Sequence, residues 1–192
     1  MSVKRVVLGV SGASGAPIAF RIAERLAALA GVETHLVVST AAERTLAHEL
    51  GADVLARLEA LAIRRYAIGD IGAAIASGSF RTAGMIVAPC SMRSLSGIAT
   101  GLADTLLIRA ADVHLKERRP LVLLARETPL HLGHLRNMVS VTEMGAIVMP
   151  PVPAFYRQPE TVAAIVDHIA ARAVDLLRIT DEPLASEWDG DV

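Results

Sequence analysis

The chain has 192 residues, of which 53% are hydrophobic and 20% are charged, with a formal net charge of −1. This length fits one domain with a sizeable core, and the balanced charge excludes a general attraction to nucleic acid. A mean hydropathy of +0.46 predicts subunit interfaces, and hence a homo-oligomer. No apolar run approaches the roughly 20 residues that span a bilayer, so we expect no membrane segment and a cytoplasmic protein.

The first motif is an apolar run that stops at small residues. Residues 6–10 read as a buried parallel strand, and Gly12 and Gly15 then allow a tight turn into a helix. The glycines of this stretch are spaced three apart, which matches neither the dinucleotide motif G-x-G-x-x-G nor a Walker A loop. Ser14 adds a hydroxyl at the helix start, a position that favours an anion such as phosphate. The plainer alternative is a packing turn.

Apolar periodicity and capping residues predict the remaining elements. In chain order they are a helix over 16–29, a strand over 33–38, helices over 40–50 and 51–62, strands over 63–67 and 84–88, helices over 91–100 and 103–111, a strand over 121–125, a helix over 130–142, a strand over 146–149 and a helix from 158 or 159 to 179. The segment 69–82 reads as an irregular loop. The last helix is expected to turn Val162, Ile165 and Ile169 inward.

Strands that alternate with helices predict an α/β fold, a three-layer Rossmann-like (flavodoxin-like) sandwich with a mostly parallel sheet. Ligands of such sheets bind beyond the carboxyl ends of the strands. Ser14, Ser39, Ser91 and Arg126 all follow strands directly and should line that edge. Hydroxyl-rich and glycine-rich turns with one arginine suit a phosphorylated aromatic cofactor such as FMN. For any single turn, tight packing alone would also explain the serine or glycine.

The chain divides into a single domain over residues 1–180, which would be flavin-binding, and an acidic C-terminal tail over 181–192. From Thr180 onward there are five acids, no base and the only tryptophan, Trp188. Two alternatives fit this composition: a frayed end, or a segment that docks on a partner subunit.

A second group of residues could bind another phosphate. Its members are Arg109, Lys116, Arg126, Glu127, Tyr156 and Arg172. Arg109 and Lys116 are seven residues apart and would share a helix face if the helix extends that far. Glu127 is a candidate proton donor or acceptor. Individually, each cation could be an ordinary surface charge and Glu127 a helix cap or ion-pair partner.

The sequence gives little support for a metal site or for a nucleophilic catalytic residue. The six histidines form no H-x-x-x-H or H-E-x-x-H pair, and His131 and His134 are only three residues apart, so no metal site is expected. No G-x-S-x-G elbow is present. The single cysteine, Cys90, excludes an internal disulfide and is expected to be a small buried thiol.

Seven segments closely resemble the UbiX-type flavin prenyltransferases, formerly described as aromatic acid decarboxylases. They occur in the family's order across nearly the whole chain: GVSGASGA at 9–16, IASGSF at 75–80, APCS at 88–91, RAADV at 109–113, LKERRPL at 115–121, RETP at 126–129 and PAFY at 153–156.

The resemblance implies an enzyme that joins the dimethylallyl group of dimethylallyl phosphate to N5 and C6 of reduced FMN, without a metal. The product, prenylated FMN, would serve a UbiD-type decarboxylase, and the oligomer would be a dodecamer with sites at subunit junctions. It assigns FMN binding to Gly12, Ala13, Ser14, Ser39, Ser91, Met92, Arg93, Ser94 and Arg126. It assigns the donor phosphate to Tyr156, Arg172, Lys116 and Arg109, places Trp188 near the site, and gives catalytic roles to Glu127, Lys116, Glu49 and Arg109.

Two other functions stay open. A flavoprotein that decarboxylates cysteine-containing substrates would need a mid-chain histidine, yet no histidine lies between His48 and His114. A non-catalytic subunit that binds or carries FMN would leave the joint presence of Lys116, Glu127 and Arg172 unexplained.

Overall fold

The protein is described here by a computed structural model that covers residues 3–188 and 190. The strands are β1 Lys4–Val10, β2 Val32–Val38, β3 Arg64–Tyr66, β4 Gly84–Cys90, β5 Leu121–Ala125 and β6 Ile147–Val148. The helices are α1 Ala16–Ala27, α2 Thr40–Leu50, α3 Val54–Ala60, α4 Met92–Thr100, α5 Leu106–Lys116, α6 Leu132–Glu143 and α7 Val162–Asp175. None of these helices combines the length and apolarity needed to cross a bilayer.

All six strands are parallel, in the order β3-β2-β1-β4-β5-β6. The chain therefore winds outward in one direction from β1 and in the other from β4. The connections that follow β1 and β4 lead in opposite directions from this switch point, which is where doubly wound sheets bind their ligands.

Helices cover both faces of the sheet and give the expected three layers. Buried apolar residues of α1, α2, α3 and α7 form the core on one face, and those of α4, α5 and α6 form the core on the other. Because the central strands are covered on both faces, β4 is buried along its whole length. The α/β prediction is confirmed.

Capping residues set the starts of two helices that matter for the site. The Ser39 hydroxyl accepts a hydrogen bond from the backbone N–H of Ala42, and the Ser91 hydroxyl accepts one from that of Ser94. Gly101 ends α4 in the left-handed conformation. The starts and stops of α2 and α4 therefore follow from local sequence.

Four expectations about the elements were wrong. Helix α7 spans Val162–Asp175 rather than 158 or 159 to 179. Helix α5 does not end at Ala111 but extends to Lys116, because the polar side chain of His114 is buried with hydrogen-bond partners rather than exposed. Strand β4 continues past Ala88 to Cys90. Val162 is 76% exposed, since it is the first residue of α7 and lies at the rim of the layer.

The described part of the tail packs on its own chain. The Asp175 carboxylate, at the end of α7, accepts hydrogen bonds from the backbone N–H groups of Leu184 at 2.7 Å and Ala185 at 3.1 Å. Ala185 is buried and the Trp188 ring packs edge-on against Tyr156. Residues 181–188 are thus held against α7, an arrangement that neither sequence alternative described; residues 189, 191 and 192 lie outside the described part.

Candidate functional site

A cavity of about 380 Å³ opens at the carboxyl edge of the sheet, beside the switch point between β1 and β4. Its size is in the range of small-molecule sites. Turns after β1, β2 and β4 supply most of its lining, which comprises Gly12, Ser39, Thr40, Ala41, Ile68, Ser91, Arg93, Ser94 and Thr105.

The starts of α2 and α4 both line this cavity. The first N–H groups of a helix have no partner within the helix, and each capping serine satisfies only one of them. Two helix dipoles therefore direct positive ends toward one cavity, which favours an anionic group. The side chain of Arg93 adds a cation, which pairs with Asp104 at 3.0 Å.

A buried serine fastens the turns together. The Ser11 hydroxyl donates to the carbonyl of Pro89 at 2.7 Å and accepts from the backbone N–H of Ser91 at 2.7 Å. On either side, the N–H of Ser39 donates to the carbonyl of Val10 and the N–H of Arg126 to that of Cys90. The rim of the cavity is thus a set of turns with fixed relative positions.

Gly12 lies where the turn after β1 meets α2. A Cβ atom at this position would lie 2.5 Å from the Cβ of Ala41. The Thr45 hydroxyl donates to the Gly12 carbonyl at 3.2 Å and holds the turn against α2. Only a glycine permits this close approach, so the glycine-rich turn shapes the cavity.

A carboxylate side chain of the same protein caps the start of α1. The Glu49 carboxylate accepts hydrogen bonds from the N–H groups of Gly15 at 3.0 Å and Ala16 at 2.8 Å. Partial burial acts to raise the pKa of Glu49, but hydrogen bonds from Ser14, Gly15 and Ala16 and the charge of Arg126 outweigh it and lower the pKa. Glu49 thus occupies two N–H groups at this helix start, where phosphate binding stays a prediction, and α2 and α4 provide two further helix starts.

Arg126 and Glu127 follow β5 at the same edge and are both exposed. The charge of Arg126 reaches Glu49, which places the guanidinium near the turn after β1. The Glu127 carboxylate accepts only from the adjacent backbone N–H of Thr128, at 3.0 Å. It is thus held in place without an ion-pair partner among the described residues, and remains accessible to a ligand.

Arg109 and Lys116 do share α5, as the sequence would require for one helix face. Thr105, just before α5, lines the cavity, whereas Lys116 is the last residue of the helix. Eleven residues at 1.5 Å each separate them by about 16 Å along the axis. Lys116 therefore lies toward the opposite edge of the sheet, where it pairs with Glu117, and Arg109 pairs with Asp112 at 2.6 Å.

Tyr156, Trp188 and Arg172 belong to the C-terminal part of the chain. Tyr156 and Trp188 are 58% and 51% exposed, and their ring centroids are 5.2 Å apart. Arg172 is exposed on α7, 3.8 Å from the Asp175 carboxylate that anchors the tail. All three side chains are exposed, and the two aromatic rings are in contact.

The comparisons with known proteins decide the family. The flavoprotein family matches residues 1–177. The flavin prenyltransferase UbiX of Neisseria meningitidis serogroup B is 55% identical over 190 residues, which are 98% of each chain. This chain belongs to the UbiX family of flavin prenyltransferases.

Two solved structures extend the likeness of this UbiX-family chain to its fold. A dodecameric FMN-dependent UbiX-like decarboxylase from Escherichia coli O157:H7 has a TM-score of 0.91 and 46% identity, and the match covers 97% of this chain and 100% of the other. AnUbiX, solved in complex with FMN and dimethylallyl pyrophosphate, has a TM-score of 0.90 and 42% identity over 99% and 100% of the two chains.

The UbiX-family cavity has room and donors for FMN. Of the residues expected to bind it, Gly12, Ser39, Ser91, Arg93 and Ser94 line the cavity, whereas Ala13, Ser14, Met92 and Arg126 do not. Thr40, Ala41, Ile68 and Thr105 were missed. A threonine before a helix is a capping signal and could have pointed to Thr105, but nothing local marks Ile68.

None of the expected donor-binding or catalytic residues lines this cavity within residues 3–188 and 190 of one chain. They are Tyr156, Arg172, Lys116, Arg109, Trp188, Glu127 and Glu49. Within one protomer, Glu49 and Glu127 lie at the same edge of the sheet as the cavity, whereas Lys116 lies toward the opposite edge.

The described residues also bear on metal binding and on nucleophilic catalysis. They contain no group of three His, Cys, Asp or Glu side chains placed to hold a metal ion. Cys90 is buried in the core beneath the site, and burial raises the pKa of its thiol to about 12. Cys90 is therefore protonated and a poor nucleophile at neutral pH.

Proposed function

We propose that this flavin prenyltransferase transfers the dimethylallyl group of dimethylallyl phosphate to N5 and C6 of reduced FMN, in the cytoplasm. The prenylated FMN would pass to a UbiD-type decarboxylase. The observation that carries the proposal is the cavity beyond the switch point, where two capped helix starts converge in a chain of this family. The complex of AnUbiX with FMN and dimethylallyl pyrophosphate supports FMN and a phosphorylated dimethylallyl donor as the two ligands.

The chain's own groups fit the FMN phosphate. N–H groups at the starts of α2 and α4 and the hydroxyls of Ser39 and Ser91 would hold it, while Gly12 keeps the cavity open. Arg126 and the turn over residues 13–14 would complete the binding of the flavin from the adjoining rim. Reduced FMN supplies the N5 and C6 atoms that acquire the prenyl group.

Cationic side chains would bind the second substrate, dimethylallyl phosphate. Breaking the C–O bond between the allyl carbon and phosphate leaves negative charge on the phosphate, which Lys116, Arg109 and Arg172 would stabilise. The Tyr156 hydroxyl would donate to the same oxygens. The Trp188 ring beside Tyr156 would help to exclude water from the reactive allyl group.

Lys116 would reach the cavity of another copy of the chain. Lys116 is about 16 Å along α5 from the cavity-lining Thr105 of its own protomer, too far for both to contact one small substrate. Several apolar side chains are also exposed, including Leu132, Leu135 and Val139 on one face of α6. A homo-oligomer would cover such faces and assemble complete sites at its junctions, and the dodecameric relative supports the expected dodecamer.

The two glutamates would have different roles. Closing the second bond at C6 requires loss of a proton, which the accessible Glu127 carboxylate or the departing phosphate would accept. Glu49 has a lowered pKa and three hydrogen-bond donors, so it is a poor proton donor. Its contribution would be to order the turn over residues 14–16 and to keep a negative charge beside Arg126.

Release of inorganic phosphate tests this function. We expect one phosphate per FMN consumed when dimethylallyl phosphate is added to protein loaded with dithionite-reduced FMN, and none without the flavin. Bound FMN without phosphate release would instead support the carrier subunit. Dimethylallyl diphosphate, added in parallel with release of inorganic pyrophosphate as the readout, determines which donor the site takes.

A further inference from the structure

The loop over residues 77–82 is fastened to the segment that follows α5. The guanidinium of Arg119 donates to the carbonyls of Gly78 at 2.5 Å and Phe80 at 2.9 Å, and to the Thr82 hydroxyl at 3.2 Å. Only 15% of the Arg119 side chain is exposed. This arginine is therefore held in one orientation by three acceptors.

A buried histidine fixes the far end of this network. His114, on α5, is fully buried, and its Nδ1 lies 2.7 Å from the carbonyl of Ala110, which can only accept. Nδ1 thus carries the proton, and Nε2 accepts from the Thr82 hydroxyl at 2.8 Å. The Thr82 hydroxyl can also accept from Arg119. The hydrogen bonds are therefore donated in one direction, from Arg119 to Thr82, from Thr82 to His114 and from His114 to Ala110. Burial lowers the pKa of His114 to about 4, which keeps the ring neutral at physiological pH.

At the exposed end, Glu117 joins this network to Lys116. Its carboxylate pairs with the Lys116 ammonium and lies 3.8 Å from the guanidinium of Arg119. Gly78 covers the pair, because a Cβ there would lie 2.7 Å from the Lys116 ammonium and closer still to the Glu117 carboxylate. The Lys116 ammonium thus lies between the Glu117 carboxylate and the backbone of Gly78, while 46% of the lysine side chain is exposed.

We propose that Glu117 and Arg119 are positioning residues, which hold the ammonium of Lys116 in the orientation that binds the phosphate of the allyl donor. This inference rests on the donor-binding role of Lys116 given above. An unrestrained lysine would lose rotamer freedom when the donor binds, and an ammonium ordered in advance avoids that cost. Glu117 acts through Lys116 and does not itself contact the donor.

Donor binding to the FMN-loaded protein tests the proposal. With oxidised FMN no transfer occurs, so calorimetric titration of dimethylallyl phosphate measures affinity alone. We expect Glu117→Gln to weaken donor binding by up to about fivefold, the upper range for a solvent-exposed ion pair, and to leave FMN affinity unchanged. Glu59→Gln is the matched control, because Glu59 also pairs with an arginine, Arg65, at the surface. It should change neither affinity.

Gly78→Ala perturbs the same lysine from the loop. The new methyl group meets the flexible ends of Lys116 and Glu117 rather than backbone, so these ends move while the fold is retained. We expect weaker donor binding of similar size. Gly69→Ala is the control within the same stretch of chain, since a Cβ at Gly69 meets nothing within 4 Å.

A double variant distinguishes loss of Lys116 positioning from a general disturbance of the donor-binding site. In a Lys116→Ala background, Glu117→Gln should have no further effect on donor affinity, because the group that it positions is gone. Unchanged or tighter donor binding by Glu117→Gln, with Lys116→Ala weakened, would overturn this inference alone. Tighter binding would mean that Glu117 competes with the donor for Lys116. Full donor affinity in Lys116→Ala would overturn both the inference and the assigned role of Lys116.

Discussion

The Glu49 carboxylate accepts a hydrogen bond from the backbone N–H of Ala16 at 2.8 Å and closes the start of α1 from the neighbouring helix α2. Glycine-rich turns after a first strand commonly bind phosphate at that helix start. In this chain the position is taken by a side chain 33 residues further along. The ligand anion is therefore expected at α2 and α4.

The ionised form of Glu49 should stabilise the fold. We expect Glu49→Ala to lower the free energy of unfolding by about 1 kcal/mol at pH 7, the typical value of a lost helix cap, and Glu49→Gln to lower it less. The pKa of Glu49 is lower in the folded chain than in the unfolded chain, so its stabilisation is present above the unfolded value and is lost as the pH falls through the folded one.

Denaturant unfolding at several pH values checks this expectation. The difference between the wild type and Glu49→Gln should persist at pH 7 and shrink below roughly pH 4, near the glutamate value in unfolded chains. A difference that grew toward low pH would contradict the assignment of an ionised Glu49.

The close approach of Gly12 to α2 predicts sensitivity of FMN binding. In Gly12→Ala the methyl group would meet the Cβ of Ala41 at 2.5 Å, so the first turn of α2 must move and the cavity wall moves with it. We expect FMN affinity to fall about tenfold, by analogy with the effect of small displacements in sites. Quenching of flavin fluorescence measures it, and Gly72→Ala, at an open position, should bind FMN normally.

Substitutions of the residues assigned to the allyl donor and to catalysis should leave FMN binding unchanged. Neither Lys116 nor Glu127 lines the FMN cavity of its own chain. We therefore expect Lys116→Ala and Glu127→Gln to bind FMN as the wild type does but to transfer no prenyl group. Equilibrium dialysis of FMN and product analysis provide the two readouts. Normal turnover in both variants would show that these residues are not the catalytic groups.

Two variants that are inactive alone should regain activity when they are co-expressed, if each active site contains residues from two copies of the chain. Ser39→Asp keeps a helix-capping residue but places a negative charge where the FMN phosphate binds. Co-expressed with Lys116→Ala, it should recover about a quarter of the wild-type rate per chain through random mixing at heterologous interfaces.

Each variant alone should be inactive, and pure populations mixed without subunit exchange should remain so. A co-expressed mixture with no activity would instead indicate that one chain supplies Lys116 to its own cavity.

Much of the fold could be predicted because its signals are local. The apolar run of β5 has the bounds 121–125 in both sequence and structure. Ser39 and Ser91 cap α2 and α4 because their hydroxyls need only reach N–H groups three residues further on. These same two serines locate the cavity, so the FMN side of the candidate site was accessible to sequence reasoning.

The remainder depends on contacts between distant parts of the chain. Burial of His114 requires Thr82, 32 residues earlier, and it was this burial that carried α5 on to Lys116. Capping of α1 by Glu49 likewise requires α2 to lie beside the turn. Spacing along the sequence could not reveal that Lys116 and the cavity lie at opposite ends of one helix.

The most direct test of the account is the mass of the flavin. Purified protein is incubated anaerobically with dithionite-reduced FMN and dimethylallyl phosphate, and the flavin is then released and analysed. A gain of one C5H8 unit is the expected result. Unmodified FMN from folded, flavin-loaded protein, with the diphosphate donor also inactive, would contradict prenyl transfer.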